Sequence, residues 1–170
     1  MNLTAKNNED IIRKYLQGIG YDATEIKHYL RGFDLSKPVY EQRLEDEVVY
    51  QYMRAPSANY SQPKLGNWFC LFGSNMTRLG IFSGAGRILV KAKIQHPLIA
   101  LEGTASEMPI AWQDDKEKGE AFGVGGKGGA TQIFIPSHLI NSSIIVLGYL
   151  NEVPPMIDSE REWLADQLPD

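Results

Sequence analysis

A single cysteine, Cys70, excludes an internal disulfide. It lies in the apolar run Trp68-Phe-Cys-Leu-Phe72, which suits a small buried hydrophobe better than a nucleophile. Histidine is also scarce. His28, His96 and His138 stand far apart, and none has a partner at ligand spacing, so no metal centre is expected. No apolar run approaches the length of a membrane-crossing helix, about 20 residues. Charge of one sign is lacking as well. A net charge of −4 gives no global attraction to nucleic acid or to an anionic membrane. The first residues, Met-Asn-Leu-Thr-Ala-Lys-Asn-Asn, are polar and carry no secretory signal, which leads us to expect a chain that acts in a cytosol.

What is present is enough for a folded domain. With 170 residues and 43% hydrophobic composition the chain can bury a sizeable core. The first third has helical periodicity. Asn8, followed by Glu9 and Asp10, is placed to cap a helix whose face is Ile11, Ile12, Tyr15 and Leu16, and Gly18 and Gly20 stop it. Asp22-Ala-Thr-Glu25 has the pattern of a capping box and opens a second helix ending at Gly32. After Pro38 the pattern turns to β-branched and aromatic alternation. Strands are predicted over 39–44, 48–54, 67–72, 87–94, 99–104, 131–135 and 143–150. Residues 55–66 and 113–129 are predicted loops, and 158–168 a capped terminal helix. The fold class is therefore α+β: a helical hairpin over 1–36, an antiparallel or mixed sheet as the core over 37–150, and a tail over 151–170 that packs on the core.

The densest local signal is Gly123-Val-Gly-Gly-Lys-Gly-Gly-Ala-Thr-Gln-Ile-Phe134. Glycine is costly to order, so such a run suits backbone that approaches something closely or moves. It equally suits a plain connector. The spacing of Gly123, Gly125 and Gly128 matches a dinucleotide fingerprint, but a β-branched strand follows where that motif needs a helix. The phosphate-loop pattern fails too, with Ala121 and Gly128 at two of its required positions. The run leads instead to Thr131 and Gln132, an amide among residues that favour a sheet.

Other constellations are weaker. No nucleophile elbow surrounds Ser83, and Asp114 and Asp115 fall in a loop. In Val48-Val-Tyr-Gln-Tyr-Met-Arg54, residues Val48, Tyr50 and Tyr52 share one side and Val49, Gln51 and Met53 the other. Arg54 ends the strand, where a guanidinium can offer its fork to carboxylate or phosphate, or simply face solvent. Trp68 and Phe69 follow a Gly/Pro loop, where aromatic faces can stack on a planar ring or pack in a core. Arg78 and Arg87 follow turns. Together these groups fit a nucleotide site without a Rossmann fold: cations for a pyrophosphate, aromatics for a base, an amide for ribose hydroxyls.

The order Phe33-Asp-Leu-Ser-Lys-Pro38, Val49-Tyr-Gln-Tyr52 with Arg54, Gly66-Asn-Trp-Phe69, Arg78-Leu-Gly-Ile81, Gly86-Arg87, Ala100-Leu-Glu-Gly-Thr-Ala105 and Gly128-Gly-Ala-Thr-Gln-Ile-Phe134 resembles the polymorphic toxins of type 46. These are NAD(P)-hydrolysing effector domains of contact-dependent and type VI secretion systems. The resemblance covers about residues 10–136. More distantly, the Arg and Gly-Gly-x-x-Gln arrangement resembles the tuberculosis necrotizing toxin. Both imply a reduced ADP-ribosyltransferase-like fold. The resemblance implies catalytic roles for Gln132, Arg54 and Gln51. It places Tyr52, Trp68, Phe69, Arg78 and Thr131 as substrate-binding residues. It further implies NAD+ or NADP+ as substrate with no cofactor, a cognate immunity protein, delivery components of a secretion system, and a secreted effector that acts in the target cell's cytoplasm. The family's domain usually ends a large delivery protein, so this chain is expected to be an excised domain or a small stand-alone effector.

The implied chemistry is cleavage of the nicotinamide–ribose bond through an oxocarbenium-like state. A glutamine orients hydroxyls or water but is no strong base, which tilts the reading toward hydrolysis over transfer. Alternatives are an ADP-ribosyltransferase or cyclase, and a non-catalytic binding or immunity module in which the glycine run is a linker.

Overall fold

The computed structural model describes residues 2–54, 65–71, 79, 87–107 and 128–150. Chain order is α1 (Leu3–Ile19), α2 (Ala23–Leu30), β1 (Tyr40–Leu44), β2 (Val48–Arg54), β3 (Trp68–Cys70), β4 (Arg87–Ile94), β5 (Leu98–Thr104), β6 (Thr131–Phe134), α3 (Ser137–Ser143) and β7 (Ile144–Leu150). This is α+β.

Helix α1 starts earlier than its sequence suggests. Asn2 is the cap, its Oδ1 accepting from the Ala5 amide at 2.7 Å. Asn8 instead lies buried inside the helix. Its amide nitrogen donates to the Leu35 and Lys37 carbonyls, each at 2.8 Å, and its Oδ1 accepts from the Val39 amide at 3.3 Å. The short polar side chain that favours a cap here serves to pin the connector that leaves α2. Gly20 ends α1 in the left-handed region, φ 104°, where glycine carries no Cβ penalty. The Asp22–Glu25 capping box is complete. The predicted hairpin face is realised except at Ile11, which is exposed: Ile12, Tyr15, Leu16, Ile26 and Leu30 are buried.

The strands form one seven-stranded sheet in the order β1-β5-β6-β3-β2-β4-β7, every neighbouring pair antiparallel. Cross-strand partners share a face. One face therefore carries Leu101, Gly103, Gln132, Phe134, Trp68, Cys70, Tyr50, Tyr52 and Leu89. Helices α1 and α2 pack on it, and Ile12, Leu16, Ile26, Leu30, Phe33, Leu101 and Phe134 share one core. The other face carries Val49, Phe69, Ala92, Ile94, Ala100, Ile133 and Ile135, which pack with Ile140 of α3.

Helix α3 escapes the sequence reading. It is short and polar, its cap Pro136 makes no side-chain hydrogen bond, and only Ile140 and Ser143 are buried. Packing supplies what propensity does not. The predicted terminal helix over 158–168 lies outside the described residues.

Candidate functional site

Gln132 sits in the interior of the sheet, between Gly103 on β5 and Cys70 on β3. As its alternation predicts, it shares a face with Phe134, while Ile133 and Ile135 enter the opposite core. It is 5% exposed. Its Nε2 donates to the Gly32 carbonyl at 2.7 Å. Among the described residues, Oε1 has no hydrogen-bond partner. Burying such a group away from water is unfavourable unless something donates to it, so this oxygen, without a partner among the described residues, marks a place where a donor belongs.

The surroundings of this amide come from three elements. Trp68 stands two positions from Cys70, on the same face, and its ring lies edge-on to Phe33 and Phe134, centroids 5.1 Å apart in both cases. Tyr29 of α2 joins this group. Gly32 passes so close that a Cβ there would meet the Trp68 ring at 2.7 Å. On the far side of Gln132, Tyr52, Cys70 and Leu89 form a small cluster with Tyr50 and Leu79. Burial pushes the Cys70 thiol up to about 12, so it is protonated and inert at neutral pH. Burial, and then the neighbouring Cys70, likewise raise the Tyr52 phenol. Gln132 thus lies at the border between the helix-covered core and a patch of neutral, half-polar side chains.

The end of the glycine run is visible at this border. Gly128 and Gly129 have φ 76° and 101°. A Cβ on Gly128 would strike backbone atoms of Ala105 and Ser106 at 2.5–2.6 Å. Close backbone approach is therefore the reason for glycine at 128.

The structure does not bring all the sequence candidates together. Gln51 is equally buried but on the opposite face. Its Nε2 donates to the Gly66 and Trp68 carbonyls at 2.9 and 2.8 Å, and its Oε1 accepts from the Gly66 amide at 2.7 Å. That amide is committed to holding the backbone that leads into β3. Phe69 also points to the opposite face and is fully buried in its core, so Trp68 and Phe69 do not form one aromatic platform. Thr131 is partly exposed and pairs with Thr104 at the start of β6. Arg54 closes β2 opposite Arg87. The side chain of Arg54 lies outside the described residues, as do Arg78, Asp114, Asp115 and residues 123–127. Of the sequence candidates, Gln132, Trp68 and Tyr52 share one face.

Two participants were invisible in the sequence. Gly32 reads there as a helix stop, yet its carbonyl orients Gln132. Ser106 has no motif around it, yet its Oγ donates to the Arg31 carbonyl at 2.5 Å and its amide to the Gly32 carbonyl at 3.1 Å.

The sequence matches no family model and no curated protein. Among solved structures, the chain resembles one from the complex of Tse6 with Tsi6, with a TM-score of 0.64 and 19% identity over 87% of this chain and 99% of that one. A chain from Rhs1-CT in complex with its cognate immunity protein RhsI1 aligns at a TM-score of 0.46 and 14% identity, over 90% of this chain and 97% of that one. The first likeness establishes a shared fold.

Proposed function

We propose that the chain is an NAD(P)+ glycohydrolase toxin with an ADP-ribosyltransferase-like core, a secreted effector that acts in the target cell's cytoplasm and needs no cofactor. The observation that carries this reading is the buried Gln132 amide, with its nitrogen held and its acceptor oxygen uncommitted among the described residues. The ordered motifs that resemble type 46 toxins support it, and so does the fold shared with a chain from the Tse6–Tsi6 complex. That complex also suits a chain with a protein partner, here a cognate immunity protein.

In this mechanism the C1′–N bond between ribose and nicotinamide breaks, and its electron pair leaves with the nicotinamide ring, which departs neutral. Water adds to C1′ and loses a proton to solvent. Because the leaving group is already activated by its positive charge, the site's task is to orient and to shield. Gln132 Oε1 accepts from a ribose hydroxyl or from the water. Trp68 and Tyr52 border the sugar. Arg54 and Arg78 are assigned to the pyrophosphate and Thr131 to the ribose edge. Gln51 is assigned to holding the loop before β3, since its side-chain hydrogen bonds among the described residues all go to backbone.

The test is nicotinamide release from NAD+ and from NADP+ by the purified chain. Release is expected with at least one. A folded chain that releases nicotinamide from neither rejects the proposal. Product analysis separates hydrolysis from transfer and cyclisation. A second reading, a non-catalytic binding or immunity module, draws on the apolar edge strand β7, where Ile145, Val146, Leu147 and Tyr149 are exposed. It is favoured if expression neither arrests growth nor depletes cellular NAD.

A further inference from the structure

The peptide that leaves α2 is fastened to the sheet at the point where Gln132 meets it. Phe33 bridges Ala105 in antiparallel fashion, and the Asp34 amide donates to the Thr104 carbonyl at 2.8 Å. Ser106 ties the same stretch twice, by Oγ to the Arg31 carbonyl and by its amide to the Gly32 carbonyl. The Gly128 turn presses on Ser106 from the other side, and the Gly129 amide donates to the Ala105 carbonyl at 2.9 Å. The Gly32 carbonyl thus receives two donors, Ser106 N and Gln132 Nε2.

A carbonyl oxygen can only accept. The end of the Gln132 amide that meets it must therefore be the nitrogen, and the other end must be the oxygen. We infer that Gly32 and Ser106 are positioning residues that lock the Gln132 amide in one orientation, so that the site offers an acceptor and selects a hydrogen-bond donor, a hydroxyl or a water, from its ligand. The inference rests on Gln132 as the ligand-contacting group of the proposed function. It makes the end of α2 part of the site, because the carbonyl that sets the amide belongs to the peptide that α2 delivers.

Gln132→Glu tests the lock by charge. A carboxylate cannot donate to the Gly32 carbonyl, whereas a protonated carboxyl can, and its second oxygen then replaces Oε1. The new carboxyl should titrate above the ordinary carboxylate range, about 4.3. Among the described residues, the titratable side chains on this face are Glu41 on β1, Cys70 on β3, Tyr50 and Tyr52 on β2 and Lys91 on β4, and Tyr29 of α2 packs against it beside Trp68 and Phe134. Cys70 and Tyr52 are held neutral by burial. Arg31 and Asp34 flank Gly32 in the connector.

The experiment is a carbon-13 NMR titration of the full chain of Gln132→Glu, labelled at the glutamate carboxyl and compared with wild type. The additional signal should have a midpoint at least one unit above its ordinary value, and nicotinamide release by the variant should rise about ten-fold or more from about pH 8 to about pH 5. A midpoint at or below the ordinary value, or release that climbs with pH as for a glutamate base, overturns the lock. The wild-type chain gives a reading that needs no variant. Side-chain amide protons of Gln51 and Gln132, identified by proximity to Gly66 and Gly32, should both exchange slowly with solvent. Fast exchange at Gln132 beside slow exchange at Gln51 overturns the lock. Slow exchange and a raised midpoint without any nicotinamide release uphold the lock and reject the glycohydrolase.

Discussion

Two glutamines, equally buried at 5% exposure, sit on opposite faces of one sheet and do different things. Gln51 belongs to the face that packs against α3. Both of its amide ends are bonded to the backbone of residues 66–68, so its polarity is consumed in shaping the chain. Gln132 belongs to the face that carries α1 and α2. One end is held by Gly32, and the other has no partner among the described residues. Burial alone does not separate a structural amide from a functional one. The separation comes from counting what each polar atom touches.

Replacing each glutamine is the most direct way to break this contrast. Gln132→Ala should lower kcat for nicotinamide release by about 10²-fold or more. The Gly32 carbonyl keeps the Ser106 amide as donor, so the thermal midpoint should change little. Wild-type turnover in a folded Gln132→Ala protein would make the two glutamines alike and remove the site. Gln51→Ala should show the reverse. It leaves the Gly66 amide and the Gly66 and Trp68 carbonyls without their partner, a cost of about 2–4 kcal/mol for three hydrogen bonds. A urea titration should record that loss, while kcat per folded molecule stays near wild type. A large fall in kcat with unchanged stability would return Gln51 to the catalytic set.

Arg54 sharpens the comparison by asking how far the site extends along β2. Arg54→Ala should raise KM about ten-fold or more at similar kcat, the loss of a charge-assisted contact contributing roughly 1.5–3 kcal/mol. Unchanged KM and kcat would confine the site to the neighbourhood of Gln132.

The smallest effect at neutral pH concerns Cys70, cross-strand neighbour of Gln132. Its buried thiol is protonated in the folded chain up to about 12, against 9.0 in the unfolded one. Below pH 9 both forms keep the proton and stability is independent of this group. Above it the unfolded chain ionises first, so stability should fall as pH rises toward 12. Thiol labelling of the native chain at pH 8 should be far slower than in urea. Equal rates would mean that this patch is open to solvent.

The elements were legible where local chemistry and the final fold agree. The ranges predicted from β-branched and aromatic content for β2 and β4, 48–54 and 87–94, are those of the structure, and the Asp22–Glu25 box announces α2. They were misread where a residue serves a distant partner. Asn8 has the composition of a cap, but its partners lie 27 to 31 residues away. Trp68 and Phe69 are adjacent in sequence and so look like a pair. The pleat sends them to opposite cores. Helix α3 has no cap signal to find.

Alternation by itself placed Gln132 and Phe134 on one face and Ile133 and Ile135 on the other, because the period of a strand is a local property of the backbone. The glycine run left two readings open, close backbone approach or a plain connector, and at position 128 the contact with Ala105 and Ser106 gives the first. Which glutamine keeps an acceptor without a partner among the described residues was not written in the sequence. The strand order sets β3 between β6 and β2, and the fold brings Gly32 onto Gln132 from about 100 positions away in the chain, with Ser106 bonded to the same Gly32 carbonyl. Hydrogen-bond partners at such separations are decided by tertiary packing, since no local pattern of residues records which carbonyl will arrive beside which amide.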